Sequence, residues 1–326
     1  MMPSGEDDLI ARYFKPLATA PGALGLTDDA AILQVCGDDV VVTTDAIVAG
    51  VHFLPDDPPD TVARKALRVN LSDLAAKGAE PAGFVLTLAL RDVNETWLAP
   101  FARALGEDAD QFGCSLLGGD TVSTPGPAMI SVTAFGRLPL GKMVRRSTAR
   151  VGDALVVTGT IGDATLGLAI LKEEQGPLES DATARAALIE RYRVPRPRVA
   201  LARAVRNHAS AAMDVSDGLM GDLAKLCGAS NVSAVVEAAA LPLSAPAGTW
   251  LASDPSLVTR LVSGGDDYEI LCTVPENRLA AFEGAARSAG VPVSVIGRIV
   301  AGKAAPRLVD AGNREIPLDR QSYSHF

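Results

Sequence analysis

The stretch MDVSDGLMGDL, Met213 to Leu223, runs an apolar segment into what reads as an amphipathic helix, with two aspartates and a serine between them. One cap is enough to start a helix, by accepting a free first-turn N–H on the side-chain oxygen of Ser216 or Asp217. The second negative charge needs another reason. Five more stretches carry an aspartate beside an apolar run: TDDAAIL (27–33), VVTTDAIV (41–48), VNLSDLAA (69–76), LLGGDTV (116–122) and SGGDDYEI (263–270). Each joins β-like sequence to a turn or a helix start, where side chains from separate elements can converge at the edge of a sheet. Any one of them alone reads as a cap or an Asx-turn. As a set they point to one shared acidic site.

Around these turns the apolar pattern alternates between strand and helix. AAILQV and VVVTTD read as strands, followed by the loop AIVAGVHFLPDDPPD, and Glu6 to Leu17 as a short helix before them. Thr61 to Lys77 has helical spacing, GFVLTLAL is a buried strand, and Glu95 to Phe112 is a helix stopped by Gly113. CSLLGGDTV reads as a strand running into a Gly-rich turn, and AMISVTAFGRL as another strand. LPLGKMVRRSTARVGD, Leu138 to Asp153, is dense in turn formers and positive charge and marks a domain boundary. Beyond it come the strands ALVVTG, SAVVEA, ILCTV and VSVIGRIV. Helices are expected at Gly162 to Lys172, on either side of RVPRPR, at Leu257 to Val262 and at Glu276 to Ala289. The expectation is an α/β chain with mixed sheets, divided into domains at 1–140 and 141–326.

Composition narrows the function. The chain has 326 residues, 48% of them hydrophobic, and 30 basic against 39 acidic side chains give a formal charge of -9. That balance argues against a general grip on nucleic-acid phosphates. An acidic protein still binds phosphates where metal ions reverse the local field. Cys36, Cys114, Cys227 and Cys272 are widely spaced, so reduced, mostly buried thiols are expected and no zinc site. The start, MMPSGEDDLIARYF, lacks the long apolar core of a signal peptide, and there is no uncharged apolar run of membrane-spanning length. A cytoplasmic protein without membrane contact is the expectation.

The chemistry follows from the acidic set. With three histidines and no DxDxDG loop, oxygen ligands spread along the chain suit Mg²⁺, which keeps waters and bridges substrate phosphates. Gly118-Gly119 and Gly264-Gly265 would let main chain approach a ligand, helix starts after Asp73 and Asp217 would face anions, and Arg145 and Arg146 offer guanidinium groups. GRLPLGKM, Gly136 to Met143, fits GxxxxGK but has Met143 where a Walker A loop needs a hydroxyl for Mg²⁺. It is not read as a P-loop.

The ordered series GEDDLIARYF, DDAAIL, TTDAIVAGVHF, KALRVNLSDLAAKGAEP, GGDT, RSTARVGDALVVTGTIGD, MDVSDGL, SGGDDYEI and SYSHF resembles the thiamine-monophosphate kinase family. That family belongs to the superfamily of aminoimidazole ribonucleotide synthetase and selenophosphate synthetase. The resemblance implies an amino-terminal domain that dimerises through its sheet, a carboxy-terminal α/β domain, and ATP in the cleft between them. It implies transfer of phosphate from ATP to thiamine monophosphate in a homodimer. By motif, Asp29, Thr43, Thr44, Asp45, Asp73, Asp120, Asp214 and Asp217 would be Mg²⁺ ligands, some through water or main chain. Gly119, Asp120, Arg146 and Ser216 would contact the nucleotide, and His52, Asp266 and Tyr323 the substrate. Asp217, Asp120 and Arg146 would serve the catalytic step. Three positions depart from the family pattern: Thr27 and Thr148 replace glycines, and Asp266 replaces a glutamate. Two alternatives remain at this level, another ATP-using member of the superfamily and a non-catalytic metal- or nucleotide-binding protein. A selenophosphate synthetase would carry a reactive Cys or selenocysteine near its start, whereas the first cysteine here is Cys36.

Overall fold

A computed structural model describes residues 24, 27–29, 31–35, 37–92, 94–318 and 322. The expected helix over Glu6 to Leu17, Cys36 and Tyr323 lie outside the described residues.

The first sheet consists of β1 (Ala31–Val35), β2 (Asp38–Val48), β3 (Glu80–Leu90), β4 (Ser115–Ser123) and β5 (Met129–Pro139), in the order β1-β2-β5-β3-β4. Only β3 and β4 run parallel. Alternation along β2 and β5 turns Val41, Ile47, Ile130, Val132 and Ala134 toward a core shared with α1 (Pro59–Ala76). On α1 packs α2 (Glu95–Phe112), whose N-cap Asn94 accepts the Thr96 N–H at 2.9 Å. Such a cap contributes about 1 kcal/mol. Gly113 ends α2 in the left-handed conformation that glycine favours.

The second sheet holds β6 (Ala154–Thr158), β7 (Ala211–Asp214), β8 (Ser233–Glu237), β9 (Ile270–Val274), β10 (Val293–Val300) and β11 (Arg307–Val309), in the order β11-β8-β10-β6-β9-β7. Among the described residues it is covered on both faces, and the first sheet on one. Leu155, Val157 and Met213 meet α6 (Leu219–Ser230) on one face. Val156, Ala212 and Cys272 meet α5 (Ala202–His208) and α9 (Glu276–Ser288) on the other. Between β6 and β7 in sequence lie α3 (Asp163–Leu171) and α4 (Ala182–Arg193). With α7 (Ala245–Ser253) and α8 (Leu257–Ser263) they form a satellite core around Leu166, Leu188, Trp250 and Leu261.

Helix α1 is the joint. Leu67, Leu71 and Leu74 belong to the core under the first sheet, while Ala75 and Ala76 pack into the second unit's core with Val205 and Ile270. A helix clamped on both sides buries even its polar residues, and Lys65, Arg68, Asn70, Ser72 and Asp73 are all buried.

Two expectations are corrected. The loop expected from Ala46 begins later, because Ala46, Ile47 and Val48 still pair with Ser131, Ile130 and Met129 on β5. The Gly-rich turn expected after CSLL is the middle of β4, where Gly118 and Gly119 pair with Val85 and Leu86. A Cβ on Gly119 would lie 1.9 Å from the Leu86 carbonyl oxygen. That glycine therefore serves the close approach of two strands.

Candidate active site

The acidic turns converge where α1 passes between the units. Asp29, Thr43, Thr44, Asp45, His52, Asp73, Asp214, Ser216, Asp217 and Asp266 line one cavity of about 640 Å³. Strand β2 contributes Thr43 and Asp45, and β7 ends in Asp214. Asp73 sits in the last turn of α1, so the helix start expected after it does not exist, and the dipole end nearest its carboxylate is the negative one. The Thr43 hydroxyl donates to Asp73 Oδ2 at 2.5 Å, and Asn70 Oδ1 accepts the Asp45 N–H at 3.0 Å.

Asp29, Asp73 and Asp214 each place a carboxylate oxygen within 4.8 Å of the other two. Their charges are unequally met. Burial pushes Asp29 up, but Lys77 and Arg146 outweigh it and hold the carboxyl below its usual range. Burial, then the charge of Asp29, pushes Asp214 up to about 8. Asp73 lies well above its usual range through burial and the charges of Asp214, Asp45 and Asp29. Among the described residues, cations satisfy one carboxylate, and the other two remain short of positive charge. An oxygen-only donor set with this deficit fits a hard divalent cation.

In the opening stretch, the turn is held differently from the expected cap. Helix α6 begins at Leu219 with Gly218 as its N-cap, and neither Ser216 nor Asp217 caps it. Asp222, buried one turn on, instead accepts the Ser216 and Asp217 N–H groups, both at 2.9 Å. Lys225 pairs with Asp217 at 2.5 Å and Asp222 at 3.1 Å. A Cβ on Gly218, where φ is 120°, would lie 2.7 Å from the Ser263 carbonyl oxygen. This close approach explains why the cap is glycine.

The loop SGGDDYEI divides its acids. Asp267 turns inward to accept the Gly162 N–H, while buried Glu269 is paired with Arg191 at 2.8 Å and Arg198 at 2.5 Å. Asp266 faces the cavity with φ at 71°, and its N–H donates to the Ser216 carbonyl at 2.8 Å. Tyr268 is left-handed too, at 49°, so the loop stores backbone strain beside the cavity. Gly264 and Gly265 touch Thr165 and the Ser216 carbonyl, so their close approaches are to the chain itself. Lys65, buried in α1, lies 3.3 Å from Asp266 Oδ2, donates to the His52 carbonyl at 2.8 Å and sits over the Tyr192 ring. His52 Nδ1 accepts the Val48 N–H at 3.1 Å.

Other positions fall elsewhere. Arg146 pairs with Asp29 and is mostly buried behind it, with its Nε lacking a hydrogen-bond partner. Gly119 and Asp120 are on β4, an exposed edge strand outside the cavity lining. Thr148 uses its hydroxyl on the Ser210 carbonyl at 2.6 Å, and neither it nor Thr27 has positive φ. Residues not singled out in the sequence are Lys65, Lys77, Asp222, Lys225 and Tyr268. The first two carried no clear signal: KALRVNLSDLAAK mixes charged and polar residues with apolar ones, and it is the clamping of α1 between two cores that buries both lysines.

Comparison with known proteins fits this geometry. Residues 27–138 match the family model for the N-terminal domain of AIR synthase related proteins, and 150–308 match that for the C-terminal domain. A thiamine-monophosphate kinase of Caulobacter vibrioides is 48% identical over 92% of this chain and 86% of its own length. The chain belongs to the thiamine-monophosphate kinase family. Another member, from Escherichia coli K12, is 40% identical over 100% of this chain and 99% of its own. Among solved structures of the family, AaThiL complexed with AMPPCP and TMP superposes with a TM-score of 0.83 at 28% identity, covering 98% of this chain and 95% of that one. The expected α/β class and two-unit architecture of the family therefore hold. No described helix is long and apolar enough to cross a membrane.

Proposed function

We propose that this chain transfers the terminal phosphate of ATP to thiamine monophosphate, giving thiamine diphosphate and ADP, with Mg²⁺ as its metal. The observation that carries this reading is the trio Asp29, Asp73 and Asp214 beside a cavity between the two units, two of the three carboxylates lacking a counter-cation among the described residues. The bound ligands named for AaThiL, AMPPCP and TMP, are of the matching kind.

Bound there, the metal would neutralise phosphate charge and fix the two reacting groups in line. Asp73, oriented by Thr43, would hold it together with Asp29 and Asp214, with Thr44, Asp45 and Asp217 on the same wall. The acceptor is already a phosphate oxygen, so no strong general base is required. Positioning and charge neutralisation suffice. Ser216 would meet the nucleotide, and His52 and Asp266, braced by Lys65, the thiamine phosphate. Arg146 acts in this reading through Asp29, which it touches. Gly119, Asp120 and Tyr323 enter on the family resemblance alone. We place the division of the units at 140 and 141, the protein in the cytoplasm, and the homodimer on the open face of the first sheet. Neither nucleic acid nor a membrane takes part in this reading. The test is ADP release in a coupled assay with thiamine monophosphate and Mg²⁺. Asp214→Asn should lower turnover by on the order of a thousandfold while leaving the far-ultraviolet dichroism unchanged. No ADP release from the wild type with this acceptor would sink the proposal.

A further inference from the structure

Lys77 directly follows the last residue of α1 and is 0% exposed. Its ammonium group donates to the Ala212 carbonyl at 2.7 Å and forms ion pairs with Asp28 Oδ1 and Asp29 Oδ2, both at 2.8 Å. Lys77 does not line the cavity, so its charge faces these three oxygens and not a substrate. The partners come from both halves of the molecule. Asp28 and Asp29 precede β1, whereas Ala212 lies on β7, two residues before Asp214.

A fully buried charge persists only when it is closely paired, and here the pairing falls on one of the three clustered carboxylates. We infer that Lys77, beside Arg146, is a resident cation of the metal site, a positioning residue that holds Asp29 in place and ties it to the strand carrying Asp214. The inference rests on the Mg²⁺ reading above. With Lys77 in place, the two halves of the site stay together before any metal arrives. The same fixed charge opposes an incoming divalent ion, so Lys77 exchanges metal affinity for a preassembled site. A brace with no electrostatic part would stabilise the fold and leave metal affinity alone.

Mg²⁺ titration of the full chain without nucleotide, by calorimetry and by the thermal unfolding midpoint, separates the two. Lys77→Met should lower the metal-free midpoint, gain more from Mg²⁺ than the wild type does, and bind Mg²⁺ about tenfold more tightly. Lys77→Arg, which keeps the charge, should restore the wild-type affinity. A destabilised Lys77→Met with unchanged or weaker Mg²⁺ binding overturns the inference. Should Lys77→Met fail to fold, Lys77→Gln is judged by the same outcomes. A wild type whose midpoint and heat signal ignore Mg²⁺ overturns the metal reading itself, and that result is distinct from a variant that fails to differ.

Discussion

Asp73 and Asp120 look alike in sequence, each closing an apolar run before a turn or helix, yet their surroundings are opposite. Asp73 is 8% exposed on a helix with a sheet on one side and the second unit's core on the other. Asp120 lies on the edge strand β4, where the whole strand is exposed and Leu116 and Leu117 stand 53% and 65% open. The local pattern is the same, but the number of layers around it differs. Burial between two layers removes water from a carboxylate and brings other carboxylates near it, which creates the demand for a metal.

The largest expected contrast is in metal binding. Asp73→Asn should weaken Mg²⁺ binding, titrated without nucleotide, by about a hundredfold, and Asp120→Asn by less than tenfold. Equal losses would break the contrast and place β4 within the metal site of the assembled protein. Next in size is a pH effect confined to the buried side. Asp214 is raised to about 8 by burial and by Asp29, so the fold favours its protonated form. That contribution is complete below the ordinary value near 4 and is lost as pH climbs toward 8. The metal-free unfolding midpoint should therefore fall between pH 5 and pH 8, and Mg²⁺ uptake should release protons below pH 8. Asp214→Asn should make the slope shallower, the raised Asp73 keeping part of it, and an unchanged slope would remove this cause. The smallest effect on the folded chain belongs to β4. Leu117→Lys should change unfolding by no more than about 0.5 kcal/mol, yet sedimentation should show monomers where the wild type forms the proposed dimer.

How far the site could be read from the chain differs from residue to residue. The set of cavity aspartates was readable because each flanks a β-like or helical apolar run, and the ends of such runs are where elements meet. The cap of α6 was not. Ser216 and Asp217 are good capping residues, but Asp222 takes their N–H groups, because the close pass of Ser263 leaves room only for a glycine at Gly218. The Gly118-Gly119 pair fits a ligand turn equally well as sequence. Its place inside β4 depends on β3 approaching from elsewhere in the chain. Lys77, four residues after Asp73, resembles an ordinary surface pair on a helix. Its real partners are Asp28, Asp29 and the Ala212 carbonyl.

The sequence by itself determined the α/β class, most elements and their order, the absence of a general nucleic-acid grip, and an oxygen-ligand chemistry spread over several turns. These follow from periodicity, turn residues and charge, which act over a few residues at a time. The tertiary structure alone decided which acids share a cavity, which of them the protein neutralises with its own cations, and which stay short of charge. Desolvation and pairing depend on what stands across the space from each carboxylate. For Asp29, Asp73 and Asp214 that neighbour lies in another element, and in part in the other unit.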